Sequence, residues 1–197
     1  IILGLMLWTG AHWFKRLAPA RRAALGEAGK GLVAVLSLLG IVLMVVGYRG
    51  SDWLGIAGAE PVDLWYPPAA MVHVNNLLML LAFYLYAASG MKTRITRVIR
   101  HPQLTAVKIW AVAHLLVNGD LASVVLFGGM LVWAVGSVIL INRAEPRPAA
   151  PAAAPVGKEI GAQVGAVARG VAAEQVKELP RLGARREVRG VEHEAVV

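Results

Sequence analysis

No cysteine occurs anywhere in this chain of 197 residues. Disulfides, iron–sulfur clusters and cysteine-ligated zinc are thereby excluded. Charge is scarce too: 16% of the residues are charged, where a soluble domain carries about 25%. No glycine-rich phosphate loop is present, and no His–Glu pair stands at the helical spacing that zinc hydrolysis uses. Ser37, Ser89 and Ser123 have no visible base, so nucleophilic catalysis has no support. Neither an initiating methionine nor a charged leader precedes the first apolar run. A cleavable signal is therefore not visible, and the first segment is read as cut short. What remains is apolar: 57% of the residues, with a mean hydropathy of +0.61. The membrane class leads. The net charge of +8 forms no compact basic patch, so a lipid bilayer, and no nucleic acid, is the expected partner.

Five apolar segments emerge, at residues 1–14, 31–48, 67–90, 102–117 and 121–142. A spanning helix needs about 20 apolar residues. The second, third and fifth segments meet that; the first and fourth are short. The third opens on Pro67 and Pro68, a pair suited to a helix start. The expected fold is an all-α integral membrane bundle of about five transmembrane helices. Its fourth and fifth helices form a tight antiparallel hairpin around Asn118-Gly119-Asp120.

Loop charge sets orientation. Residues 15–30 carry Lys15, Arg16, Arg21, Arg22 and Lys30 against Glu27, and residues 91–101 carry Lys92, Arg94, Arg97 and Arg100 with no acid. The loop at 49–66 holds Asp52, Glu60 and Asp63 against Arg49. This alternation places the N-terminus outside and the C-terminus in the cytoplasm. KTRITRVIR reads as a basic helix on the inner surface, near anionic lipid. Beyond residue 143 the composition changes. PRPAAPAAAP is a Pro/Ala linker, and residues 156–179 place valines at helical spacing between charges that prevent a span. The chain divides into a membrane domain, 1–143, and a polar tail, 144–197, that is weakly helical or disordered.

The ionisable residues inside the apolar segments are the candidates for function. In RHPQLTAVKIWAVAHLLVNGD, Pro102 suits the first position of a helix with His101 as its flanking cap. His101 and His114 are then about 20 Å apart in rise and about 140° apart around the axis, so they belong to different sites. Arg100, His101 and Lys108 form an interface or headgroup group, with Lys108 able to snorkel. His114 lies deep in its span, with Trp110 and Asn118 on its face. His12 follows Trp8 by one turn. His73 has Asn76 on its face. Four histidines among few interior carboxylates suit haem held between imidazoles.

GAHWFKRLAP, LWYPPAAMVHVNNLLMLLAF and the stretch from TRVIRHPQL to LFGGMLVWA resemble the NnrU family of bacterial membrane proteins over about residues 1–143. That family includes the plant and cyanobacterial 15-cis-zeta-carotene isomerase, a membrane haem b protein. The resemblance implies a multi-pass protein of the bacterial inner membrane, linked to nitrite and nitric oxide reduction in denitrification. It implies haem b, with the ligand positions falling on His12 and His114. On the loop-charge topology these two lie at opposite depths, whereas one haem needs them level. A tilted or re-entrant fourth segment removes the mismatch; otherwise His73 is the better partner for His114. Whether the chain is an enzyme stays open, between isomerase-like chemistry, redox sensing and nitric oxide handling. The implied partners are denitrification reductases or a hydrophobic small molecule. The alternative from another class is a non-catalytic assembly factor for a reductase complex. RHP also resembles the opening of a membrane methyltransferase motif, but Gln103 and Leu104 follow in place of the required tyrosine.

Overall fold

A computed structural model describes residues 1–50, 62–90 and 94–147, with scattered positions between 149 and 168. Asp52, Glu60, Lys92 and the segment RLGARREVRGVEHEAVV lie outside the described residues. The helices are α1 (Ile2–Leu17), α2 (Pro19–Ala24), α3 (Gly26–Arg49), α4 (Met71–Ser89), α5 (Arg94–Val98), α6 (Pro102–Val117) and α7 (Leu121–Ala144). Among the described residues there is no strand, and Asp63 and Asp120 form an isolated antiparallel bridge. Of the tail, Gly157, Ile160, Gly161, Val164, Gly165 and Ala168 are helical.

Three helices, α3, α4 and α7, are long and apolar enough to cross a membrane. They are the second, third and fifth segments of the sequence. The first and fourth become α1 and α6, of 16 residues each, or about 24 Å of rise against a hydrocarbon core of about 30 Å. The outer faces are apolar: Val35, Leu38 and Val42 on α3, Leu77 on α4 and Val132 on α7 are all exposed. In water such faces would aggregate; in lipid they are the solvated side.

Lipid supplies no hydrophobic drive between helices, so close approach and dispersion hold the bundle together. The α1–α3 crossing shows this. A Cβ on Gly4 would lie 2.6 Å from the Gly40 carbonyl oxygen and 2.7 Å from the Met44 nitrogen. The two backbones touch because both positions are glycine. Gly26, at φ +49, takes the left-handed turn that separates α2 from α3.

Helix α1 runs parallel to α7. Leu5 packs on Gly129, Trp8 on Trp133, and the Trp13 ring on Gly136. Trp13 Nε1 donates to Ser137 Oγ at 2.8 Å, and that hydroxyl donates to the Trp133 carbonyl at 2.7 Å. Ser137 is thus satisfied both ways although buried. Helices α6 and α7 form the expected antiparallel hairpin, with His101 beside Asn142 at one end and His114 stacked on Phe127 at the other.

The hairpin turn is tied down on three sides. Asp120 caps α7, its Oδ1 accepting from the Ser123 amide at 2.8 Å and its Oδ2 from the Ser123 hydroxyl at 2.6 Å. The serine hydrogen is then committed, so Tyr48 at the end of α3 donates to Ser123 Oγ, at 3.0 Å. The segment before α4 lies against the turn: Leu64 and Trp65 amides donate to the Gly119 carbonyl and the Leu121 amide to that of Val62. Any side chain on Gly119 would collide with the Trp65 carbonyl. Burial works to raise the Asp120 pKa, but the Ser123 hydroxyl and amide, with the amides of Asp120 and Ala122, outweigh it and hold the carboxyl below its ordinary range. After the cap, Val124–Gly128 winds as a π turn before the α-helix resumes at Gly129.

Pro67 and Pro68 do not open α4. The Pro68 carbonyl accepts from the Met71 amide in a turn, and the helix begins at Met71.

Candidate functional site

A cleft of about 570 Å³ opens between α1, α6 and α7. Trp8, His12 and Trp13 come from α1, Leu104 and Val107 from α6, and Met130, Trp133 and Ile141 from α7. Lys15, Arg16 and Gln103 add polar groups to the lining. His12 is placed by its own helix. Its Nδ1 lies 2.8 Å from the carbonyl of Trp8, one turn earlier. A carbonyl only accepts, so Nδ1 carries the hydrogen, and in the neutral ring Nε2 keeps its lone pair. No described residue bonds Nε2. This is the arrangement that orients metal-binding imidazoles.

Aromatic rings fix His12 from two sides. Its centroid lies 4.0 Å from Trp8 and 5.3 Å from Trp133, the latter edge-on. The indole Nε1 groups of Trp8 and Trp133 are both buried with no hydrogen-bond partner. A buried donor left without an acceptor is costly.

His114 sits elsewhere. Its ring stacks on Phe127 at 4.4 Å and 10°, with Trp110 edge-on at 5.2 Å. Asn118 Nδ2 donates to the His114 carbonyl at 2.8 Å. Trp110 and His114 share a face, as their spacing implied, whereas Asn118 is the extended residue that ends the helix. His114 does not line the cleft. The two histidines meet α7 at Trp133 and Phe127, six residues apart, or about 9 Å of rise. The pair of ligand positions implied by resemblance is thus split between two aromatic clusters. His73 is exposed on α4 and joins neither set of rings. Among the described residues, no group of three or more His, Asp or Glu is arranged to hold a metal ion.

The interface residues form a separate cluster at the far end of the hairpin. His101 flanks α6 as expected, yet its side chain caps nothing; Nε2 meets Asn142 Oδ1 at 2.9 Å instead. Arg100 donates to the carbonyls of Glu145 and Pro146. Arg147 donates to the Val98 carbonyl at 3.1 Å. Arg16 pairs with Glu145; that hydrogen bond and then the charge of Arg16 hold the Glu145 carboxyl below its ordinary range. Lys108 is half-buried on α6. Sequence reasoning missed Trp133, Phe127 and Tyr48, which complete the two clusters and the hairpin tie. The signal for Trp8 was present in its one-turn spacing to His12.

The model for the family described as NnrU protein matches residues 1–176. The chain belongs to the NnrU family. The match runs beyond residue 143, into the polar tail of this NnrU-family chain. No curated protein and no solved structure matches it.

Proposed function

We propose that this NnrU-family chain is a haem b protein of the bacterial inner membrane that serves nitrite and nitric oxide reduction, with His12 as an iron ligand. The observation that carries the reading is the His12 ring itself. Its Nδ1 is committed to the Trp8 carbonyl and its Nε2 is unbonded, on a cleft of about 570 Å³. The rest of the lining fits the group. Trp8, Trp133, Val107 and Met130 offer flat or apolar walls to a macrocycle, and Lys15 and Arg16 offer cations to its two carboxylates. The group would supply one-electron chemistry and an iron that takes nitric oxide.

The orientation rests on charge. Arg16, Arg100 and Arg147 gather at one end of the hairpin through Glu145 and the carbonyls of Pro146 and Val98. The positive-inside rule puts that end in the cytoplasm.

The test is an absorbance spectrum of the protein purified in detergent from haem-replete cells. A Soret band that shifts on reduction is expected. His12→Ala should abolish it, and His114→Ala should leave it in place. A band lost only on removing His114 would overturn the choice of His12. A colourless wild type would defeat the haem reading and favour a non-catalytic role in assembling a reductase.

A further inference from the structure

Helix α4 stands at the edge of the bundle. It packs chiefly on α6, with Ala82, Leu85 and Ala88 buried. His73, Asn76, Leu77 and Leu80 recur at three- and four-residue spacing on the other side of the helix, and all four are exposed. None of them lines the cleft at His12. Two of the four are polar, and one of these is deep. Helix α4 has 19 residues, or about 28 Å of rise against a hydrocarbon core of about 30 Å. Asn76 follows Met71 by five residues, so it lies about 8 Å along the helix, past the membrane surface.

The Asn76 carboxamide is only half satisfied. Its Oδ1 accepts from Asn75 Nδ2 at 3.2 Å, and its own Nδ2 has no partner among the described residues. Hydrocarbon offers none, so the group is costly there. An asparagine stem is too short to carry its head to the surface as a lysine does. Whatever covers this face must therefore accept from Nδ2. It should also donate, because an amide oxygen has two lone pairs and Asn75 takes one. A second carboxamide in the same state meets both needs, each Nδ2 donating to the other Oδ1. A lipid tail covers Leu77 and Leu80 equally well but leaves Asn76 unpaired. The polar group is what selects a second copy of the chain.

We propose that the His73–Asn76–Leu80 seam of α4 is the interface of a homodimer, in which two copies pack α4 on α4 about a two-fold axis along the membrane normal and bond their Asn76 carboxamides to each other. An interface of this kind is self-complementary, as a two-fold axis requires. It also joins the two forces that associate helices in lipid, close packing and a hydrogen bond between polar side chains. His73, one turn before Asn76, brings a further group that both donates and accepts when neutral. The dimer leaves the His12 cleft untouched and is independent of the haem reading.

A chain without cysteine suits a cross-linking test. Leu80→Cys is introduced into the full chain, which is reconstituted in phosphatidylcholine vesicles over a series of protein-to-lipid ratios and oxidised with copper phenanthroline. A disulfide-linked dimer is expected. Val35→Cys on α3 and Val132→Cys on α7 should stay monomeric, although these positions are 63% and 68% exposed against 44% for Leu80. Adding Asn76→Ala to Leu80→Cys should weaken the dimer by about 3- to 20-fold, the range of one hydrogen bond between membrane helices. Asn76→Gln keeps the carboxamide and should retain more of it. Asn76→Leu takes the place of the alanine variant should that fail to insert. Cross-linking at Leu80 no greater than at Val35 and Val132 overturns the proposal and leaves lipid or water as the cover of this face. A Leu80 dimer that neither Asn76→Ala nor Asn76→Leu weakens overturns it as well, since the carboxamide pair is what the interface rests on.

Discussion

Replacing Asp120 with alanine should loosen the whole hairpin end of the bundle. The carboxylate caps α7 through the Ser123 amide and holds the Ser123 hydroxyl. Loss of an N-cap aspartate costs about 1 kcal/mol. Ser123 is fully buried and would lose its acceptor. An unsatisfied buried group costs about 1–3 kcal/mol, and the low end applies because the hydroxyl can turn toward Tyr48. The sum is about 2 kcal/mol, or roughly 30-fold in the folding equilibrium. Reversible unfolding in mixed micelles measures it, with Ser123→Ala and the double variant completing a cycle. A coupling of about 1 kcal/mol is expected between the two sites. Strict additivity, or an Asp120→Ala variant as stable as wild type, would refute the capping account. The pH dependence has a definite sign. Because the folded carboxyl sits below the ordinary 3.8, its contribution is complete above that pH and fades as pH falls through the lower folded value. Asp120→Asn should keep most of the cap and lose that acid limb.

Three further outcomes follow from the packing. Gly40→Leu should push α1 off α3 and cost about 1–3 kcal/mol as an overpacked contact, read by the same unfolding assay. Gly119→Ala should detach residues 62–66 from the hairpin turn, since their carbonyl occupies the space of its methyl group; limited proteolysis in that segment should rise while α6 and α7 stay protected. Glu145→Gln should free Arg16 without a measurable change in stability, because the pair is exposed and such pairs are weak.

Helix punctuation was readable where side chains act locally. Pro102 starts α6, and the Asn118-Gly119-Asp120 turn parts α6 from α7. The proline pair misled because Pro67 and Pro68 serve a turn. Loop charge and rise per residue set His12 and His114 apart, and in the structure the two meet α7 six residues apart, at Trp133 and Phe127. The cleft was not legible. In a soluble helix the apolar stripe says which face is buried. In lipid both faces are apolar, and nothing local tells that Trp8 and Trp133 meet across more than a hundred residues. The contacts that choose those faces are glycines, and Gly40, Gly129 and Gly136 look alike in sequence until a neighbour is set against each. Burial of Ser123 between Asp120 and Tyr48 was hidden for the same reason.

The π turn at Val124–Gly128 makes the angular relation between the two aromatic clusters a matter of one residue. A π turn is an α-helix carrying one residue more than its ladder needs. Phe127, which stacks on His114, lies within it; Trp133, which holds His12, lies beyond it. Removing one residue from the turn would restore a regular helix without unfolding it. It would also swing one end against the other by about 100°, so that α7 could serve His12 or His114 but not both. A shortened α7 would thus uncouple the two neighbourhoods while leaving every ligand candidate in place.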